Sequence, residues 1–148
     1  MTRVLVALDE SAASVRAARA AVRLFPSGDT EFLVVNVARV SAPWVPAPPY
    51  GGVAVVESGW TGAMSGMGED ELDAIARRAG VPEPHVLTEA GNPASRICEA
   101  ADEHDVDVIV VGGHDKGLLA RLFDPSVSSA VVRATHRPVL VVSGDPPS

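Results

Sequence analysis

Four short apolar runs constrain this chain more than anything else in it: Val4-Leu5-Val6-Ala7-Leu8, Phe32-Leu33-Val34-Val35-Asn36-Val37, Val106 to Val111, and Val139-Leu140-Val141-Val142. Each is rich in β-branched residues and nearly continuous rather than alternating, the pattern of a strand buried on both faces of a parallel sheet. A weaker run, His85-Val86-Leu87-Thr88, makes a fifth. Parallel strands must be joined by crossovers, and amphipathic stretches of helical length separate the runs. The expected fold is therefore α/β: a doubly wound, five-stranded parallel sheet, Rossmann-like or flavodoxin-like with order 3-2-1-4-5, and helices on both faces.

The helices have readable starts. Asp9 or Ser11 can cap a first helix whose stripe Val15, Ala18, Val22, Phe25 falls at helical spacing, with Arg16, Arg19 and Arg23 toward water. Glu69 to Arg78 is acidic first and basic last, which suits the helix dipole. Asn92-Pro93 supplies a capping oxygen and then a residue whose missing N–H has no partner there anyway, ahead of the stripe Ala94, Ile97, Cys98, Ala101. Asp124-Pro125 repeats that chemistry before Val127, Ala130, Val131 and Ala134. Ser41 to Gly68 breaks the alternation: it is Pro- and Gly-rich, has Glu57 as its only charge and holds Trp44, Tyr50 and Trp60. It reads as an insertion or mobile loop at 41–68, with a lid or partner surface as the sharper reading, within a single domain spanning 1–148.

Composition narrows the function. At 148 residues one domain is expected, and 47% hydrophobic residues exclude a disordered chain. A net charge of −7 disfavours a nucleic-acid surface, which needs basic groups to displace counterions. No apolar run approaches the ~20 residues that span a bilayer, so no membrane is expected. One cysteine provides no intramolecular disulfide, and a cytoplasmic protein is the expectation. Phosphate-loop, nucleophile-elbow, C-x-x-C and H-E-x-x-H signatures are absent. The histidines 85, 104, 114 and 136 are dispersed, and Cys98 sits on a core stripe, so neither a metal site nor a catalytic set is expected. Asp9 or His114 could act as a base, but the sequence supplies no second partner for either.

In open α/β sheets a ligand binds beyond the carboxyl ends of the strands, where strand order reverses. Asp9 and Gly112 are the corresponding positions here. From Gly112 to Ser128 a strand ends in a glycine-rich turn, and a helix follows whose start carries Ser126-Val127-Ser128. Glycines allow close approach of a ligand, and the N–H groups of a helix start can bind an anion.

Four segments together resemble the universal stress protein family. They are Val4 to Ser11, Gly91-Asn92-Pro93 with its Ala-rich helix, Val106 to Gly113, and Arg137-Pro138 with Val139 to Val142. The resemblance covers the chain except residues 41–68. It implies a stress-response protein without turnover, a homodimer, and ATP or AMP as the ligand class. Ala7, Asp9, Val37, Gly112, Gly113, Asp115, Ser126, Val127 and Ser128 would then be the binding residues. The family's ATP-binding members carry G-x2-G-x9-G-[ST]. In this sequence Gly112 takes the first glycine, Asp115 the second, Pro125 the third and Ser126 the hydroxyl, while Glu10 follows Asp9 in place of a glycine.

Those departures act against a triphosphate. A carboxylate ~4 Å from a phosphate repels it by roughly 1 kcal/mol in water and several-fold more where solvent is partly excluded. Pro125 deletes an N–H, and a hydrogen bond to a charged group contributes ~1.5–3 kcal/mol. The sum, roughly 3–6 kcal/mol, is ~10²–10⁴ in affinity. Lys116, the sole lysine, recovers part of this. ATP binding is expected to be weak or lost. An AMP-like ligand is less affected, because adenine and ribose contacts would come from Ala7, Asp9 and Val37. The last strand, Val139 to Val142, is apolar enough that a second copy is expected to cover its edge.

Overall fold

A computed structural model describes residues 1–41, 63–113 and 125–143, with backbone only at 40–41, 63–65 and 125–126. The elements in order are β1 (Thr2–Ala7), α1 (Ala12–Leu24), β2 (Thr30–Ser41), β3 (Ala63–Ser65), α2 (Glu69–Arg78), β4 (His85–Ala90), α3 (Pro93–Glu103), β5 (Val108–Gly112), α4 (Pro125–Ala134) and β6 (Val139–Val142). Five strands pair in parallel in the order β4-β2-β1-β5-β6. Counted among themselves in chain order these are 3-2-1-4-5, the expected doubly wound arrangement. The direction of winding reverses between β1 and β5.

The continuous apolar character of β1 has a direct cause, because alternate residues enter two different cores. Val4, Val6 and Leu8 pack with Phe32, Val34 and Val110 beneath α1 and α2. Leu5 and Ala7 pack with Leu33, Val35, Ile109 and Val111 beneath α3 and α4. Val4, Leu5 and Val6 are wholly buried, since neighbouring strands and helices cover both faces. Among the described residues no helix is long and apolar enough to cross a membrane.

The structure departs from the sequence expectation in two places. On α1, Val15, Val22 and Phe25 are only partly buried, and the fully covered side is Ala13, Ser14, Ala17, Ala18, Ala20 and Ala21. The helix lies so close to the sheet that small residues must face it: a Cβ added to Gly112 would stand 2.9 Å from the backbone carbon and oxygen of Ala13. The second departure is within 41–68. β2 runs on to Ser41, and Ala63–Ser65 forms β3, antiparallel to it with Val40 opposite Met64. β3 pairs with β2 just past the last residue that β4 pairs, a sixth strand that the Pro/Gly content concealed. Residues 42–62, with Trp44, Tyr50 and Trp60, lie outside the described residues.

At the amino ends of the strands, long charged side chains cross between elements. Arg3 donates Nε to Glu31 (3.0 Å) and Nη1 to the His104 carbonyl (3.1 Å), while its N–H reaches Asp107 (2.7 Å). Arg137, ahead of β6, donates to Asp102 (3.1 Å), to Asp105 (3.3 Å) and to the Val106 carbonyl. These contacts close that end of the sheet.

Candidate functional site

The opposite end is built around one peptide unit. β1 stops at Ala7, and the Leu8 N–H still reaches the Val35 carbonyl (2.9 Å). Beyond it the strands part, and side chains take over from the ladder. The Leu8 carbonyl accepts from Asn36 Nδ2 (2.9 Å), and the Asp9 N–H donates to Ser14 Oγ (3.0 Å). Both ends of the Leu8–Asp9 peptide are thereby satisfied at the point where a buried backbone would otherwise lose its partners.

Asp9 itself is half-buried. Its Oδ1 accepts from the Ser11 N–H (2.7 Å) and from the Ser14 hydroxyl (2.8 Å). Ser11 caps α1, accepting from the Ser14 N–H at 3.2 Å. Both bonds to the carboxylate fall on Oδ1; among the described residues none falls on Oδ2. The result is an anionic acceptor fixed through one oxygen at the mouth of the sheet.

The register brings several expected residues to this mouth. Ala7 pairs with Val35 and Val6 with Val110. Asp9 lies two residues past the last β1–β2 pair, Val37 two residues further along β2, and Gly112 ends β5. Val37 is half-buried against the core beneath α3 and α4. Ala7 and Val127 are buried core residues of that same side, and Ser128 is buried on α4. Asp115 lies outside the described residues together with His114, Lys116 and Asp124, as does the side chain of Ser126.

Gly112 and Gly113 have a role the sequence did not disclose. A Cβ on Gly112 would collide with the first turn of α1; one on Gly113 would stand 3.2 Å from Val141 Cγ1 and 3.3 Å from the Val142 carbonyl. Both positions are filled by the protein itself, so their glycines are explained by packing, without a ligand. Sequence reasoning also missed Asn36 and Ser14. The signal for Asn36 was present, since a polar amide inside a run destined for burial must find partners. Ser14, three residues after the cap, was the only polar residue on the face that meets the sheet.

A parallel doubly wound sheet with a fixed carboxylate beside its point of reversal defines a nucleotide-type α/β domain. The family model described as the universal stress protein family matches residues 1–143, and the chain belongs to that family. A universal stress protein of Methanocaldococcus jannaschii is 30% identical over 142 residues, covering 95% of this chain and 81% of the relative. Two solved structures share the fold. One is a universal stress protein in complex with cAMP (TM-score 0.59, 24% identity, 95% of each chain). The other is an Arabidopsis thaliana protein of the family with AMP bound (TM-score 0.63, 22% identity, 100% of this chain and 97% of that one).

Proposed function

We propose that this protein is a cytoplasmic, non-enzymatic stress-response regulator whose crevice takes a nucleoside monophosphate of the AMP or cyclic AMP class and binds ATP weakly or not at all. The observation that carries the reading is Asp9: an acceptor held by Ser11 and Ser14 through Oδ1 at the carboxyl end of β1, with no bond on Oδ2 among the described residues. Such a group suits the amine of a purine or the hydroxyls of a ribose. The AMP and cAMP complexes of two family members support the ligand class. The bias against ATP comes from Asp115 and Pro125, which stand where the family's ATP-binding motif has glycines.

Thermal shift and isothermal titration with AMP, cyclic AMP, ADP and ATP test this on wild type and on Asp115→Gly/Pro125→Gly. The expected result is a response to a monophosphate that Asp9→Ala removes, little response to ATP, and an ATP response gained in the double variant. Micromolar ATP binding by wild type, abolished by Ser126→Ala, would overturn the reading.

A homodimer through β6 is part of the same proposal. Among the described residues β6 pairs only with β5, and Val141 and Val132 are exposed at 40% and 49%. A bare apolar strand edge invites pairing with a second copy. Light scattering at micromolar concentration is expected to give a dimer, and a monomer would contradict it.

A further inference from the structure

We propose that Asn36 is a positioning residue that sets the direction of the Asp9 carboxylate and couples it to the connection between β3 and α2. The inference rests on the reading of the crevice as a ligand site for its consequence, although not for its geometry. Asn36 is only 9% exposed, the one amide in the apolar run of β2. Its Nδ2 holds the oxygen of the Leu8–Asp9 peptide (2.9 Å), whose N–H is held by Ser14 (3.0 Å). With both ends of that plane fixed, the N–Cα bond of Asp9 has one direction, and the bonds from Ser11 and Ser14 to Oδ1 complete the placement of its carboxylate from that fixed base.

The other end of the same amide accepts from the Met67 N–H (3.3 Å). Met67 is brought there because its neighbour Gly66 lies against Ala38, two residues along the same face of β2. A Cβ on Gly66 would fall 2.5 Å from that of Ala38. One rigid side-chain amide thus spans from the crevice to residues 66–68, the return of the chain from β3 toward α2. A ligand held by Asp9 and a displacement of Met67 act on the same group, so each must bias the other, and equilibrium coupling is reciprocal.

Amide hydrogen exchange of the full chain, resolved by residue, tests this without a ligand. Asn36→Asp keeps an acceptor for Met67 but offers Leu8 no donor when ionised. The expected result is exchange at Asp9 and Ser11 about tenfold faster relative to the core amides of Val6, Val34 and Val110, with Met67 still protected. Asn36→Ala, which brings no charge and keeps the test open if the aspartate variant does not fold, is expected to release Met67 as well. A general loss of stability would speed the core amides by the same factor. Unchanged rates at Asp9 and Ser11 relative to the core, in whichever variants fold, would overturn the proposal. AMP titration forms the second arm, with at least about tenfold weaker binding expected in both variants. Absence of AMP binding by wild type would sink the functional reading and leave the exchange result to decide the role of Asn36.

Discussion

The two ends of the sheet are held by different chemistry. At the amino end, Arg3 reaches Glu31 of β2 and the His104 carbonyl after α3, and Arg137 reaches Asp102 of α3 and, just beyond it, Asp105 and the Val106 carbonyl. At the carboxyl end the ties are short: Asp9 to Ser11 and Ser14, Asn36 to Leu8 and Met67, and two glycines where backbone meets backbone. Long charged side chains can make up for imperfect distances, whereas close backbone packing cannot. The end that holds Asp9 is therefore also the end that tolerates substitution least.

The sharpest way to break this comparison is Gly112→Ala. The added methyl meets backbone atoms of Ala13 at 2.9 Å and the Ser14 nitrogen at 3.2 Å, and backbone has no rotamer by which to yield. The expected cost is about 2–3 kcal/mol, at the upper part of the range for overpacking. That corresponds to a fall in Tm of roughly 5–10 °C for a domain of this size. Because Ser14 moves with Ala13, the Asp9 network should loosen as well. Gly113→Ala, whose nearest neighbour is the movable Val141 Cγ1 at 3.2 Å, should cost about 1 kcal/mol. Differential scanning calorimetry of the pair checks the ranking, and equal losses would refute the packing account.

Asp9→Ala comes next. It leaves the Ser11 N–H without its acceptor at the start of α1, while the Ser14 hydroxyl keeps the carbonyls of Asp9 (3.0 Å) and Ser11 (3.1 Å), and about 1 kcal/mol is expected from urea unfolding. Asp9→Asn keeps one acceptor oxygen and should cost less than half as much. Arg137→Met probes the other end. Its partners Asp102 and Asp105 are 72% and 85% exposed, so those ion pairs are screened by water and contribute a few tenths of a kcal/mol each. The bond to the Val106 carbonyl supplies most of the expected loss of about 1 kcal/mol. A larger loss for Arg137→Met than for Gly112→Ala would invert the comparison.

How much of this was legible in the sequence follows the same division. β1 could be read because burial on two faces leaves a run with no polar interruption, and α3 because Asn92 and Pro93 act within one turn of themselves. Asn92 does accept from the Ser95 N–H at 3.1 Å. The extension of β2 could not be read, since Arg39 and Ser41 look like the beginning of a loop until Ser65 and Ala63 are seen opposite them. In the site, Asp9 was legible from its place after the first strand. Gly112 and Gly113 were legible as glycines but not as to reason, because what fills the missing Cβ lies about 100 residues away in α1 or about 30 away in β6. Asn36 was read as strand, and only the structure shows which backbone groups had lost their ladder.

The smallest expected effect links the middle of α3 to its carboxyl end. Cys98 is partly buried, and burial pushes its thiol up from the ordinary range, with Asp102 and Glu99 adding to the rise. A raised value in the folded state means that folding favours the protonated thiol. Its contribution is complete below the unfolded value of ~8.5 and is lost as pH climbs through the folded one. At pH 7.5 the thiolate is therefore scarcer than in the unfolded chain, and alkylation by iodoacetamide should be several-fold slower in buffer than in urea. Arg137 lies on the route between this thiol and the amino-end network, since it donates to Asp102. Arg137→Met removes the charge that offsets Asp102, which should raise the thiol further and slow alkylation again, whereas Asp102→Asn should speed it. Equal rates in the two variants would show that the carboxylate at the end of α3 does not reach Cys98 and that burial alone governs it.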